Sequence, residues 1–273
     1  MTRLDFNWSF LKRLKGGKPV VAVAGTALLG CAAIWSVNLI AQTGSPGNQT
    51  YTTAFPATES PISQSSAWIN GGTTGQQWNN VQTVSSPTNM AEGVGPASTE
   101  YSDPTAVLAG TWGPNQTVTV NVYSNGVEDK PSQGYDKEVE IRLRTTIKAN
   151  SITGYEINCR TPNDSYSYIQ IVRWNGGLGN FTSLNIEYGV GCGNGDVFRA
   201  TINGSTITAY KNGQQILTAN DSTYTSGSPG IGFNFGCGSA YNQFGITNFT
   251  ATDHSAPGAS GPNPPTNPSG SPN

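Results

Sequence analysis

Charge is scarce in this chain. Of its 273 residues only 11% are Asp, Glu, Lys or Arg, against roughly a quarter in an average soluble domain. Long charged helices and coiled coils cannot be built from so little. There is one histidine, His254, at the start of a Pro- and Gly-rich C-terminal stretch. Ser-His and Cys-His nucleophile systems therefore lack a base within the folded part. The four cysteines include no close pair, so the usual zinc-ligand spacing is missing too. Beyond residue 18 the chain has nine basic and fifteen acidic residues, and no basic stripe interleaved with aromatics. A surface of that sign is not drawn to phosphate, and nucleic acid is not a partner it supports. No apolar period of a helix and no phosphate-cradling glycine loop is found either.

What charge there is sits unevenly. Residues 1–18 hold five basic groups and one acid, and they precede the uncharged run Val20 to Ala41. A positive segment followed by an apolar one is the pattern of export, with the positive end retained in the cytoplasm. The apolar run is long enough to span a bilayer, and it ends in Leu39-Ile40-Ala41, a usable cleavage site. Residues 1–41 thus form a leader, either a cleaved signal peptide or a single-pass transmembrane anchor. Leu28-Leu29-Gly30-Cys31 adds a lipobox-like variant. Each of these places the remainder outside the cytoplasm, as a secreted, periplasmic or surface protein.

Residues 42–53 read as a polar spacer, 54–253 as the domain, and 254–273 as a Pro/Gly/Ser-rich tail, extended and solvated, able to touch other surface proteins. Within the domain short alternating runs recur between Gly, Asn, Pro and Asp. They predict strands at 116–123, 138–146, 154–160, 168–174, 184–188, 197–202, 206–211, 215–218, 230–235 and 244–252, with less regular ones near 78–84 and 106–109. That pattern predicts an all-β, two-sheet antiparallel sandwich of the jelly-roll kind. Asn203-Gly204 and Asn212-Gly213 are the strongest hairpin turns. Outside the cytoplasm thiols are oxidised. Cys192 and Cys237 lie in similar Gly-rich turns, so a Cys192–Cys237 disulfide is expected.

The run Gly195-Asp196-Val197-Phe198-Arg199, continuing through Gly204-Ser205-Thr206-Ile207 to Tyr210-Lys211-Asn212-Gly213, resembles the concanavalin A-like lectin/glucanase superfamily and its laminin G-like jelly rolls. So does Asp221 followed by Gly227-Ser228-Pro229-Gly230-Ile231-Gly232. The likeness covers most of 54–253 and is specific for fold. It implies little about activity, because that superfamily mixes lectins, adhesion modules, glucanases and lyases. A structural calcium ion is the accessory the resemblance implies, with Asn194, Asp196 and Asp221 as donors. Such a cation takes about six to eight oxygens, so the two turns would have to pool theirs.

Catalysis on this fold needs paired acids on one strand face. The nearest string is Glu138-Val139-Glu140-Ile141-Arg142-Leu143-Arg144. Period-2 geometry puts its two acids and two arginines on one face and the aliphatics on the other. That reads as a solvated, self-neutralising face whose arginines keep both carboxylates ionised. The lyases of the superfamily use Tyr and His with Arg, and the domain has no His. No catalytic residue is assigned.

Saccharide binding asks for less: an exposed ring and a few amides. Trp112, Trp174, Tyr188, Tyr210, Tyr224 and Tyr241 are the aromatics on offer, although most rings in a sandwich belong to its core. Trp174 with Asn175 at a strand end, Tyr210 with Asn212 opposite Ile207 and Ala209, and Tyr241 are the expected ligand-binding residues. The expectation is a non-catalytic, lectin-like module for a polysaccharide or glycan. Its alternatives are a divergent glycan-cleaving enzyme and a structural surface or assembly subunit.

Overall fold

A computed structural model describes residues 47–72, 79–94, 103–126, 137–234 and 242–254. The leader, the tail beyond His254, Tyr241 and Cys237 lie outside these residues, whereas His254, expected in the tail, is paired in a strand with Asn115. The described residues contain no α-helix, and none among them is long and apolar enough to cross a membrane.

Alternation of β-branched and polar residues along short runs produces fifteen strands. They are β1 (Thr50–Thr53), β2 (Trp68–Asn70), β3 (Val81–Val84), β4 (Met90–Gly93), β5 (Thr105–Leu108), β6 (Asn115–Ser124), β7 (Glu138–Lys148), β8 (Ser151–Arg160), β9 (Tyr168–Gly176), β10 (Phe181–Tyr188), β11 (Val197–Asn203), β12 (Thr206–Lys211), β13 (Gln214–Asn220), β14 (Ser228–Asn234) and β15 (Phe244–His254). One sheet runs β13-β12-β11-β6-β15-β4-β3, with β1 also on β15; the other runs β10-β9-β8-β7-β14-β5-β2. All pairings are antiparallel. The all-β sandwich read from the sequence is therefore the fold.

The core lies between the two inner faces. Val118, Val120, Phe198, Ala200, Ile202, Ile207 and Ala209 from one sheet meet Val139, Ile141, Leu143, Ile157, Ile169 and Ile171 from the other, all at 1% exposure or less. Burying each such aliphatic side chain stabilises the fold by about 1.5–3 kcal/mol. The domain begins earlier than expected. β1 lies inside the predicted spacer and pairs Thr50–Thr53 with Thr252–Phe249. The Asp253 carboxylate pins this entry by accepting the backbone N–H groups of Gly47, Gln49 and Gly113.

Both predicted hairpins form, with one change in register. Asn212 and Gly213 make the β12–β13 turn with φ of 50° and 82°, the pair of positive angles that suits strand twist. Asn203 instead pairs with Thr206, so Gly204-Ser205 is the β11–β12 loop. The disulfide is also different. It joins Cys159 to Cys192, which excludes Cys192–Cys237. Cys159 ends β8 on its core side, and the Cys192 N–H donates to the Arg160 carbonyl, so backbone pairing already brings the two together.

Candidate functional site

The outer face of the seven-stranded sheet carries the unusual chemistry. Strand register stacks it in rows. Gly232, Glu140, Asn158 and Gln170 form one row across β14, β7, β8 and β9, and Gly230, Arg142, Glu156 and Val172 form the next. Glu138 and Arg142 do share a face opposite Val139 and Ile141, as predicted. The face is not solvated, however. Glu138, Glu140, Arg142, Glu156, Asn158 and Arg160 are at most 4% exposed. Arg144 leaves the row: a bulge between Leu143 and Thr146 sends its guanidinium to the carbonyls of Pro114, Tyr224 and Gly204.

At the centre stands Arg142. Its Nη2 bonds Asp103 and Glu140, and Nη1 lies 2.6 Å from a Glu156 oxygen. One oxygen from each of these carboxylates lies within 4.8 Å of the others, close enough to share a cation. The positive group among them is the chain's own guanidinium. Gly232 makes the room: a Cβ there would come within 2.2 Å of Glu140 Oε2 and 2.8 Å of the guanidinium. Burial pushes the Glu140 carboxyl well above its usual value, and neighbouring Asp103, Glu156 and Glu138 add to this against the opposing pull of Arg142. Its Oε1 accepts no hydrogen bond among the described residues. Against the expectation that the arginines favour ionisation of both acids, burial at Glu140 opposes it more strongly than the one cation shared by three acids promotes it.

Towards the sheet edge the face opens. β10 is the edge strand, and it has one bulge, with Ser183 opposite Val172 and Asn185 opposite Ile171. Phe181 and Tyr188 are seven positions apart, and in a regular strand an odd separation puts side chains on opposite faces. The extra residue at the bulge restores the phase. Phe181 therefore stands beside Trp174, with ring centroids 5.3 Å apart, and Tyr188 beside Tyr168 at 6.4 Å, both edge to face. Phe181 is 45% and Tyr188 71% exposed. Between them Gln170 Nε2 donates to Ser183 Oγ at 2.7 Å, giving an amide and a hydroxyl on the same strip.

Each exposed ring is backed by a buried acid. The Trp174 indole N–H donates to Glu156 Oε2 at 2.5 Å, and the Tyr168 hydroxyl donates to Glu138. The buried ionic layer on this same face thus fixes the two inner rings, and these abut the two outer ones. A second open patch is a groove of about 370 Å³ with Ile69, Ile147, Thr111, Thr146 and Ser226 among its lining residues.

The expected ligand residues are not assembled. Trp174 is 1% exposed, packed with Ile152 and Val172 and partly buried Ile147 and Leu178. Asn175 points to the opposite face of β9 and bonds Thr182 and Arg173. Tyr210 and Asn212 belong to the other sheet. There the Arg199 guanidinium stacks 4.0 Å from the centre of the Tyr210 ring, and Asn212 ties Val197 and Asp196. Phe181 was missed because the strand was predicted to start at Leu184. Tyr188 stood among the aromatics on offer, without the partner that defines the strip.

The expected calcium donors do not fit one shell. Register places Asp196 and Asp221 at opposite ends of β11–β13, since Phe198 aligns with Lys211 and Gln214, and Asn203 with Thr206 and Asn220. Asp196 pairs with Lys211 Nζ at 3.0 Å and Asp221 with Arg173 at 2.6 Å. Burial alone would raise both carboxyls, but hydrogen bonds from Gly193, Asn212 and Lys211 to one, and from Tyr155, Thr223 and Arg173 to the other, hold them below the usual value. Asn194 accepts from the Ser124 N–H.

No family model matches the chain, and no curated protein matches it. Solved structures resemble it in strand arrangement. The carbohydrate-binding module CBM66 from Bacillus subtilis is 12% identical, with 71% of this chain and 96% of that one covered and a TM-score of 0.43. The Emp47p carbohydrate recognition domain is 11% identical, covering 75% and 95%, at 0.47. A Bacillus subtilis protein of unknown function with a galectin-like fold is 10% identical, covering 76% and 96%, also at 0.47. Likeness at this level concerns fold, and the site is read from its own residues.

Proposed function

We propose that the chain is an exported, non-catalytic glycan-binding module whose ligand lies on the outer strip of β9 and β10. The supporting observation is the pair of exposed rings, Phe181 and Tyr188, turned to the same face by a bulge and separated by Gln170 and Ser183. Rings offer flat apolar surface to the C–H faces of sugars, and the amide and hydroxyl between them suit hydroxyl groups. The Cys159–Cys192 disulfide supports an oxidising compartment.

The acids support the non-catalytic reading. Asp103, Glu140 and Glu156 converge on one buried guanidinium on the outer face of the sheet. A glycosidase instead holds two carboxyls apart across the scissile bond, one protonated and one free to attack or activate water. Electrophoresis through gels containing glucan, xylan, mannan or fructan tests the proposal. Retardation by at least one polymer, weakened in Tyr188→Ala and without release of reducing ends, is the expected result. Mobility unchanged in every polymer would count against binding, and reducing-end release against the non-catalytic reading.

A further inference from the structure

The two exposed rings are far apart. Their partners on β9, Trp174 and Tyr168, are six residues apart along one strand, about 20 Å at the rise of an extended chain. One sugar unit cannot touch both. Each ring is nevertheless held in the same manner, by an inner ring whose polar atom is bound to a buried carboxylate: Phe181 by Trp174 and Glu156, Tyr188 by Tyr168 and Glu138. Two rings held alike at the ends of one strip, with hydrogen-bonding groups midway, form the outline of a linear ligand. Among the described residues the strip has no charged side chain on its exposed face, where Phe181, Ser183, Ile186 and Tyr188 alternate with residues turned the other way.

Resting on the glycan-binding reading above, we infer that the ligand is an extended, neutral oligosaccharide or polysaccharide segment running along β10, engaged at one end by Phe181 and at the other by Tyr188. Recognition is then of the interior of a chain, and chain length is the determinant of affinity. Trp174 and Tyr168 are positioning residues, because they touch the outer rings and are themselves covered or half-covered. The bulge at Ser183–Asn185 is the element that permits both contacts at once.

The test uses the full chain and the gel panel of glucan, xylan, mannan and fructan, followed by calorimetric titration with dimers to octamers of whichever polymer retards it. Affinity is expected to rise by about tenfold or more between the shortest oligomers and those able to span both rings, the size of an aromatic anchor. Phe181→Ala and Tyr188→Ala should each abolish that rise. Deleting Leu184 should remove the rise as well, with circular dichroism confirming the sheet and Glu187→Gln, on the other face of the same strand, serving as a folded control. Tyr168→Phe, which keeps the ring and loses its bond to Glu138, should lower octamer affinity more than dimer affinity. Polymer retention with equal affinity for all lengths, or with neither ring variant altering the rise, would overturn the inference and leave glycan binding standing. Failure of every polymer to retard the chain would instead overturn the reading on which it rests.

Discussion

The two outer faces of this sandwich solve the same problem differently. On the eight-stranded sheet Thr117, Thr119, Thr201, Thr206, Thr250 and Thr252 alternate outward and stay wholly or partly exposed. Such a face needs only short hydroxyls that water can reach. On the seven-stranded sheet the corresponding positions hold Glu138, Glu140, Arg142, Glu156 and Arg160, all buried. Ionised groups taken out of water cost several kcal/mol each unless paired and hydrogen-bonded. A buried ionic layer is thus weak evidence for stability, and its presence beside the exposed rings suggests a positioning role.

The contrast can be broken most severely at Arg142. Arg142→Met leaves three buried carboxylates without their cation and should cost about 3–5 kcal/mol in urea unfolding. Arg199→Met on the opposite face should cost less than about 1 kcal/mol, since a half-exposed cation–π contact is all it loses. Equal losses would show that the ionic layer is not special. Next in size is Gly232→Ala, where the new methyl meets Glu140 and the guanidinium. Thermal unfolding should reveal a loss of about 1–3 kcal/mol, as for other overpacked interiors.

A third test is the pH dependence of stability. The Glu140 carboxyl is raised in the folded state, so the fold binds its proton more tightly than the unfolded chain does. Its contribution is fully present below the usual carboxylate range and is lost as pH rises towards the folded value, with a slope of at most about 1.4 kcal/mol per pH unit. Glu140→Gln should flatten that slope; an unchanged profile would place the proton elsewhere. The smallest effect belongs to Tyr210→Ala, which should leave glycan retention within about twofold, whereas Tyr188→Ala should reduce it about tenfold.

Period-2 patterning made most of the fold legible. Strands from β6 onward lie within a few residues of their predicted positions, because each alternates long enough to show its face. β1, β2 and β4 were not foreseen; like β3 and β5, which were read only as irregular, they are three or four residues long, so a period barely registers. The site was much less legible. Alternation told which face Glu138, Glu140 and Arg142 share, but a period carries no information on what else buries that face. Trp174 was therefore expected as an exposed platform, and the acids as solvated. The bulge in β10 has no sequence signature of its own, and without it Phe181 and Tyr188 read as residues of opposite faces. Cysteine connectivity depended likewise on which turn packs beside the end of β8.

The central claim is that a glycan lies on the β9–β10 strip. Amide chemical-shift mapping of the isotopically labelled chain, titrated with the polymer that retards it, addresses this directly. The predicted result is a set of shifts along Tyr168–Trp174 and Phe181–Tyr188, with little change on β11 and β12. Shifts centred on Thr206–Lys211, or none at saturating polymer, would contradict it.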